Sequence, residues 1–215
     1  MKRPYFIASM FLIFGVVIVS VIFYPRLPEQ IPTHWNINGK VDDYSGKFWG
    51  LFLMPLILAG IILLFRFLSW LSPKQFQVDS FRNTYEYIMF LVVALLSSIQ
   101  GLIIWSALHP SADLKRSFPA LIFLFFALMG NVLGKVRRNF WIGVRTPWTL
   151  ASERVWNDTH RFAARLFVLV GLSGFFVILL GLPMYVAFVF LITAAIATVV
   201  YSLVEYKRLE KLGQL

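Results

Sequence analysis

The chain has 215 residues, of which 59% are hydrophobic and only 14% charged; a soluble domain carries roughly 25% charged residues, and a chain this short lacks the interior to hide such an apolar excess, so lipid is the solvent its composition fits. The formal net charge of +10 reads as positive loops that orient a membrane protein rather than as a nucleic-acid surface. The absence of cysteine excludes disulfides, thiol catalysis and Cys-ligated metals.

The first apolar run, residues 5–24, follows Met1-Lys2-Arg3 and is followed by no small-residue cleavage site. It also exceeds the ~7–15 residues of a signal-peptide core, and is read as a retained first span. A transmembrane helix needs ~20 mostly apolar residues, and five further runs qualify: 48–68, 85–108, 118–134, 164–180 and 184–204. The last two are separated only by Gly181-Leu182-Pro183, where Gly ends one helix and Pro begins the next. The expected fold is an all-α integral membrane protein with six transmembrane helices. It divides into a two-helix N-terminal unit (1–84) and a four-helix C-terminal unit (85–215). Fifteen Lys and Arg then lie on one side and five on the other, a bias that places both termini of this multi-pass chain in the cytoplasm.

Few polar residues fall within the spans: Ser97, Ser98 and Gln100 in the third, Asn131 in the fourth. Either they line a transport path, which makes a small peptide or solute transporter or channel the alternative function, or they hydrogen-bond between helices. No Asp or Glu sits near the middle of a span, which argues against proton-coupled transport. Gly130-xxx-Gly134 has the spacing for close helix approach, more within the chain than between copies.

The loop 25–47, expected outside, has Pro25, Pro28 and Pro32 to hold it extended. Asn38-Gly39 is a tight-turn signal between two short extended stretches, consistent with a hairpin. Trp35, Tyr44 and Trp49 suit the membrane interface. His34 has Asp42 and Asp43 nearby but no second imidazole, so no metal site is assigned, and a folded cap over the bundle is the expected role.

The loop 135–163, expected inside, is the most distinctive stretch. Thr146-Pro147 reads as an N-cap followed by proline at the first helical position. From there Trp148, Ala151, Val155, Thr159 and Phe162 share one face, and Glu153, Arg154, Asn157, Asp158 and Arg161 the other. The expectation is a short amphipathic helix lying at the membrane surface between spans four and five. Gly143 ahead of Arg145 signals a close backbone approach. His160 with Asp158 or Glu153 supplies acid–base groups, but no nucleophile, metal cluster or phosphate-cradling loop accompanies them. The chain is therefore read as a non-enzyme without cofactor, and the loop, with its Trp and Arg residues, as a recognition surface.

The stretch 139–161, Asn-Phe-Trp-Ile-Gly-Val-Arg-Thr-Pro-Trp-Thr-Leu-Ala-Ser-Glu-Arg-Val-Trp-Asn-Asp-Thr-His-Arg, resembles the signature of the SdpI family of bacterial membrane immunity proteins. The stretch 31–42, Ile-Pro-Thr-His-Trp-Asn-Ile-Asn-Gly-Lys-Val-Asp, resembles the domain of unknown function that often precedes it. The resemblance implies protection of a cell from a secreted killing-factor peptide. In the best-known member it also implies signalling, by capture of a soluble transcriptional repressor at the membrane, without direct contact with nucleic acid. Positions carried over by motif are Asn139, Gly143, Arg145, Thr146, Pro147, Trp148, Thr149, Leu150, Trp156, His160 and Arg161. In the outer loop they are Pro32, His34, Trp35, Asn36, Gly39 and Asp42. One departure is Ala163-Ala164, where the family pattern has a glycine after the His-Arg pair.

Overall fold

The computed structural model describes residues 3–36 and 39–215. Seven α-helices follow in chain order: α1 Pro4–Phe23, α2 Lys47–Leu71, α3 Arg82–Leu108, α4 Ser117–Leu133, α5 Pro147–Ala151, α6 Glu153–Leu179 and α7 Met184–Lys211. Between α1 and α2 stand two strands, β1 Gln30–Trp35 and β2 Val41–Gly46. They pair antiparallel with irregular register around His34, so an otherwise helical molecule carries a small hairpin. Of the Asn38-Gly39 turn signal, Asn38 lies outside the described residues; Gly39 adopts a φ of +75°, which favours glycine. Its N–H donates to the Asn36 carbonyl at 2.8 Å.

Five helices, α1, α2, α3, α6 and α7, are long and apolar enough to cross a membrane, whereas α4 has 17 residues. With several such helices the chain is a multi-pass membrane protein. The outward faces agree: Ile7, Phe11, Phe14 and Ile18 form an exposed stripe at helical spacing along α1, a patch that water would not tolerate and acyl chains cover.

Pro55 inside α2 has no N–H, so the carbonyl four residues earlier, that of Leu51, loses its helical partner. Gln100 of α3 compensates, donating through Nε2 to Gly50 O at 3.1 Å and Leu51 O at 3.5 Å. Ser20 of α1 donates to the same Leu51 carbonyl at 3.4 Å. Gln100 is thus buried glue among three helices. Asn131 is exposed on α4, and the two amides do not converge on one path.

α4 lies along α6 from end to end. A Cβ on Gly130 would stand 2.6 Å from Val168 N, one on Gly171 2.4 Å from Ala127 N, and one on Gly174 2.2 Å from the Phe123 ring. At the far end Arg116 donates to Leu179 O at 3.4 Å. Gly130 therefore serves close packing within the chain. Gly134 has only ordinary contacts at 3.6 Å and beyond, so the expected glycine pair operates through its first member, with Gly171 and Gly174 contributed by the facing helix. Buried carboxylates occur at helix ends and are paired: Glu86 with Arg3 at 3.8 Å, and Glu205 with Arg208 through bonds of 2.9 and 2.5 Å.

Candidate recognition loops at the two ends of the bundle

The hairpin packs on the C-terminal half of α3, where Ile31 joins Leu51, Ile103, Ile104 and Ala107 in one apolar cluster. The loop after α4 packs on the other end of α3, where Val136 and Trp156 meet Val78, Phe81, Tyr85 and Ile88. The two motif-rich segments therefore sit at opposite ends of a 27-residue helix, about 40 Å apart.

In the hairpin, Pro32 is buried and His34 and Asp42 are exposed. His34 Nδ1 and Asp42 Oδ1 meet across the strands at 2.5 Å. Asp43 turns back to accept from the Tyr44 N–H at 2.8 Å. Trp35 packs at a tilt against Phe118, with ring centroids 4.7 Å apart, and Asn36 Oδ1 accepts from the Lys40 N–H at 3.1 Å. A Cβ on Gly39 would lie 2.5 Å from Lys115 Cβ, so the turn rests directly on the α3–α4 connection. Beneath it is a largely apolar cavity of about 470 Å³ bordered by Trp35, Ile103, Leu114, Phe118 and Phe188.

The other loop is built around three buried side chains. Asn139, fully buried, uses its whole amide. Nδ2 donates to Arg137 O at 2.8 Å and Ile142 O at 3.0 Å, and Oδ1 accepts from the N–H groups of Trp141 at 2.7 Å and Ile142 at 2.8 Å. That is every bond the amide can make in this setting, and it turns the chain back after α4. Trp156 donates its indole N–H to Val136 O at 2.7 Å and stacks on His160 at 4.1 Å between centroids. His160, also fully buried, donates from Nδ1 to Trp156 O at 2.8 Å and accepts at Nε2 from the Val144 N–H at 3.0 Å. An imidazole that donates at one nitrogen and accepts at the other is neutral, and its tautomer is fixed by these partners.

Gly143 is required twice over at this point. Its φ is +110°, and a Cβ would stand 2.3 Å from His160 Nε2. The loop then closes with a reciprocal cap. Thr146 Oγ1 accepts from the Thr149 N–H at 3.3 Å and Thr149 Oγ1 accepts from the Thr146 N–H at 3.0 Å, an arrangement that satisfies two otherwise orphaned donors. Thr149 also donates to Val144 O at 2.7 Å, and Thr146 Oγ1 reaches Ser202 Oγ of α7 at 3.0 Å.

The helix expected from Thr146-Pro147 begins there but runs only to Ala151. Ser152 is extended (φ −133°, ψ 128°) and caps a second helix by accepting from the Val155 N–H. Residues 153–163 are accordingly the first turns of α6, continuous with the span. Its buried face includes the expected Val155 and Thr159 but also Trp156 and His160. Trp156, expected on the recognition surface, is instead buried against His160, and the i, i+4 spacing of the two rings is the signal for that stacking.

The motif residues fall into two groups. Asn139, Thr149, Trp156 and His160 are buried, and Gly143 and Thr146 bond or pack inside the loop. Arg145, Pro147 and Arg161 are exposed and Trp148 and Leu150 half-buried. Arg145 reaches the Phe140 carbonyl and Arg161 the Asp158 carboxylate, while Arg138 donates to Leu150 O at 3.1 Å. Trp141, unremarked in the sequence, ties the loop to the end of α2 by donating to Ser72 Oγ at 2.7 Å.

Residues 135–202 match the SdpI/YfhL protein family, and residues 11–59 match a domain of unknown function, DUF1648. The chain is 29% identical to the immunity protein SdpI of Bacillus subtilis (strain 168) over 198 residues, 91% of each chain. It is also 33% identical to the uncharacterized membrane protein YbgB of the same organism over 42 residues, 20% of this chain and 46% of that one. No solved structure matches it.

Proposed function

From its place in the SdpI/YfhL family, we propose that this chain is a membrane immunity protein, protecting the cell that makes it from a secreted toxic peptide. The observation that carries the proposal is the likeness to an immunity protein across 91% of both chains, hairpin and motif loop included. In this reading the hairpin and the cavity beneath it form the outward surface at which an amphipathic peptide is met. His34, Trp35, Asn36 and Asp42 are the residues it presents. The loop 135–163 is the inward surface, on which Arg145, Pro147 and Trp148 are available to a soluble repressor. The interior set Asn139, Gly143, Thr149, Trp156 and His160 holds that surface in one conformation. Engagement outside and capture inside would be coupled by a two-state change of the bundle.

Six crossings fit this arrangement. α4 is 17 residues long, about 25 Å, slightly short of a ~30 Å hydrocarbon core. It nevertheless runs beside α6 from residue 116 to residue 134, so where α6 crosses, α4 crosses with it. With six crossings both termini share the cytoplasmic side that the Lys and Arg bias assigns them. The five-residue helix α5, with half-buried Trp148, then lies at the inner interface.

The test is challenge of a sensitive bacterial host with the candidate peptide while the host expresses the chain. Wild type should restore growth. Arg145→Ala should keep that protection and lose induction of a repressor-controlled reporter. Growth no better than that of the empty host would refute the immunity reading, and unchanged induction in Arg145→Ala would refute the role given to Arg145.

A further inference from the structure

A cavity of about 580 Å³ opens between the start of α3, the end of α4 and the first turns of α6. Three separate elements bring cations to it: Arg82 from α3, Lys135 and Arg137 from the segment after α4, and Arg161 from α6. One carboxylate, Asp79, lines it as well. Arg82 pairs with Asp79, and Arg161 with Asp158 beside the cavity. Lys135 and Arg137 form no ion pair among the described residues. Among the other lining residues Ser80, Asn83, Thr84 and Asn157 can donate, beside the apolar Phe81 and Val136. The first turn of α3 also borders the cavity, and its N-cap position, Phe81, offers no side-chain acceptor, so the positive end of that helix adds to the field.

The cavity stands at the level where the apolar part of the bundle ends. The hydrophobic run of α4 stops at Leu133, and the polar turns of α6 give way to its apolar run beyond residue 163. Phospholipid phosphates lie at this depth, and basic pockets between helix ends at this level suit anionic headgroups. We propose that this cavity binds the phosphate of an anionic phospholipid headgroup, with Lys135 and Arg137 as its unpaired cations and Arg82 and Arg161 as the paired ones. Phosphate would compete with Asp79 and Asp158 for those two arginines. Because Arg161 and Asn157 belong to the same helix turns as His160, occupancy of the cavity would brace the loop described above. The proposal rests on this geometry and on membrane location, not on the immunity reading.

The test uses the purified full-length chain in detergent, with bound lipid counted by native mass spectrometry. Phosphatidylglycerol and phosphatidylcholine are offered at equal mole fraction, with inorganic phosphate as a separate arm. Phosphatidylglycerol should be retained in preference to phosphatidylcholine, and inorganic phosphate should displace it only weakly. The double variant Lys135→Gln/Arg137→Gln should weaken retention roughly 30-fold, about 2 kcal/mol at ~1.4 kcal/mol per decade. Arg154→Gln, a charge change on the same helix outside the cavity, should leave retention unaltered. The melting temperature without added lipid checks that each variant is folded. Equal retention of the two lipids, or an unchanged double variant, would overturn the proposal. Inorganic phosphate binding as tightly as the lipid would overturn the lipid assignment, and so would a polyglutamate peptide bound tightly with no lipid preference.

Discussion

Replacing Gly143 by alanine probes the clasp that shapes the inner loop. The residue sits at φ +110° with the position of a Cβ 2.3 Å from His160 Nε2. A side chain there costs about 1–3 kcal/mol in backbone strain. It also pushes away the imidazole that accepts from the Val144 N–H at 3.0 Å, and an unpaired N–H costs a further ~1–3 kcal/mol. The sum, about 2–6 kcal/mol, is comparable to the ~5–15 kcal/mol of a typical whole domain. The strain falls on one loop, so the expected result is local release of residues 139–149 rather than loss of the bundle. Hydrogen exchange of the detergent-purified chain measures it: the Val144 amide should lose protection by at least ~30-fold, the equivalent of about 2 kcal/mol. Amides of α1 and α2 should be unaffected. Adding His160→Ala should make Gly143→Ala less costly, because the clash is removed while the φ strain stays, so the two changes should be non-additive. Unchanged Val144 protection in Gly143→Ala, or strictly additive effects, would show that Gly143 does not hold His160 against the Val144 N–H.

Asn139→Ala removes an amide making four bonds inside the same loop and should cost the Trp141 and Ile142 amides about 3 kcal/mol of protection, ~100-fold or more; hydrogen exchange matching wild type would count against it. Gln100→Leu should destabilise the chain by about 1–3 kcal/mol by leaving the carbonyl freed by Pro55 with only the 3.4 Å bond from Ser20. In the Pro55→Ala background, where an N–H is restored to that carbonyl, the same change should cost distinctly less, as read by thermal unfolding of the four proteins. Gly171→Val should part α4 from α6 and abolish accumulation of folded protein, seen as loss of the monodisperse peak on size exclusion, whereas Gly15→Val, where the structure has open space, should be tolerated.

The apolar runs gave away the long helices because burial in lipid imposes a compositional demand on every residue of a span, and a window of residues suffices to read it. Thr146-Pro147 was equally legible, since a cap is a local device whose partner, Thr149, lies three residues away. Ser152 as a second cap is not legible in the sequence. A serine followed by an acidic residue fits the interior of a polar helix as well as its start, and the extended backbone at Ser152 depends on how α5 packs against α6 and α7. The Gln100 amide had two readings in the sequence because its partner stands 49 residues away, and only the packing of α3 on α2 joins it to the consequence of Pro55. The inner motif looked like a recognition surface, yet most of its distinctive residues turn inward. A fully bonded Asn139 and a neutral His160 are invisible as such in a sequence, where both types appear as polar residues awaiting a partner. The basic cavity was hidden for the same reason: Arg82, Arg137 and Arg161 come together only through the meeting of three helix ends.

Protection can be read as membrane depolarisation of a sensitive host titrated with the purified toxic peptide, with and without the chain in its membrane. Cells carrying the chain should keep their potential at peptide doses that collapse it in cells lacking it. Superimposable dose–response curves, with the chain verified in the membrane, would rule out an immunity role.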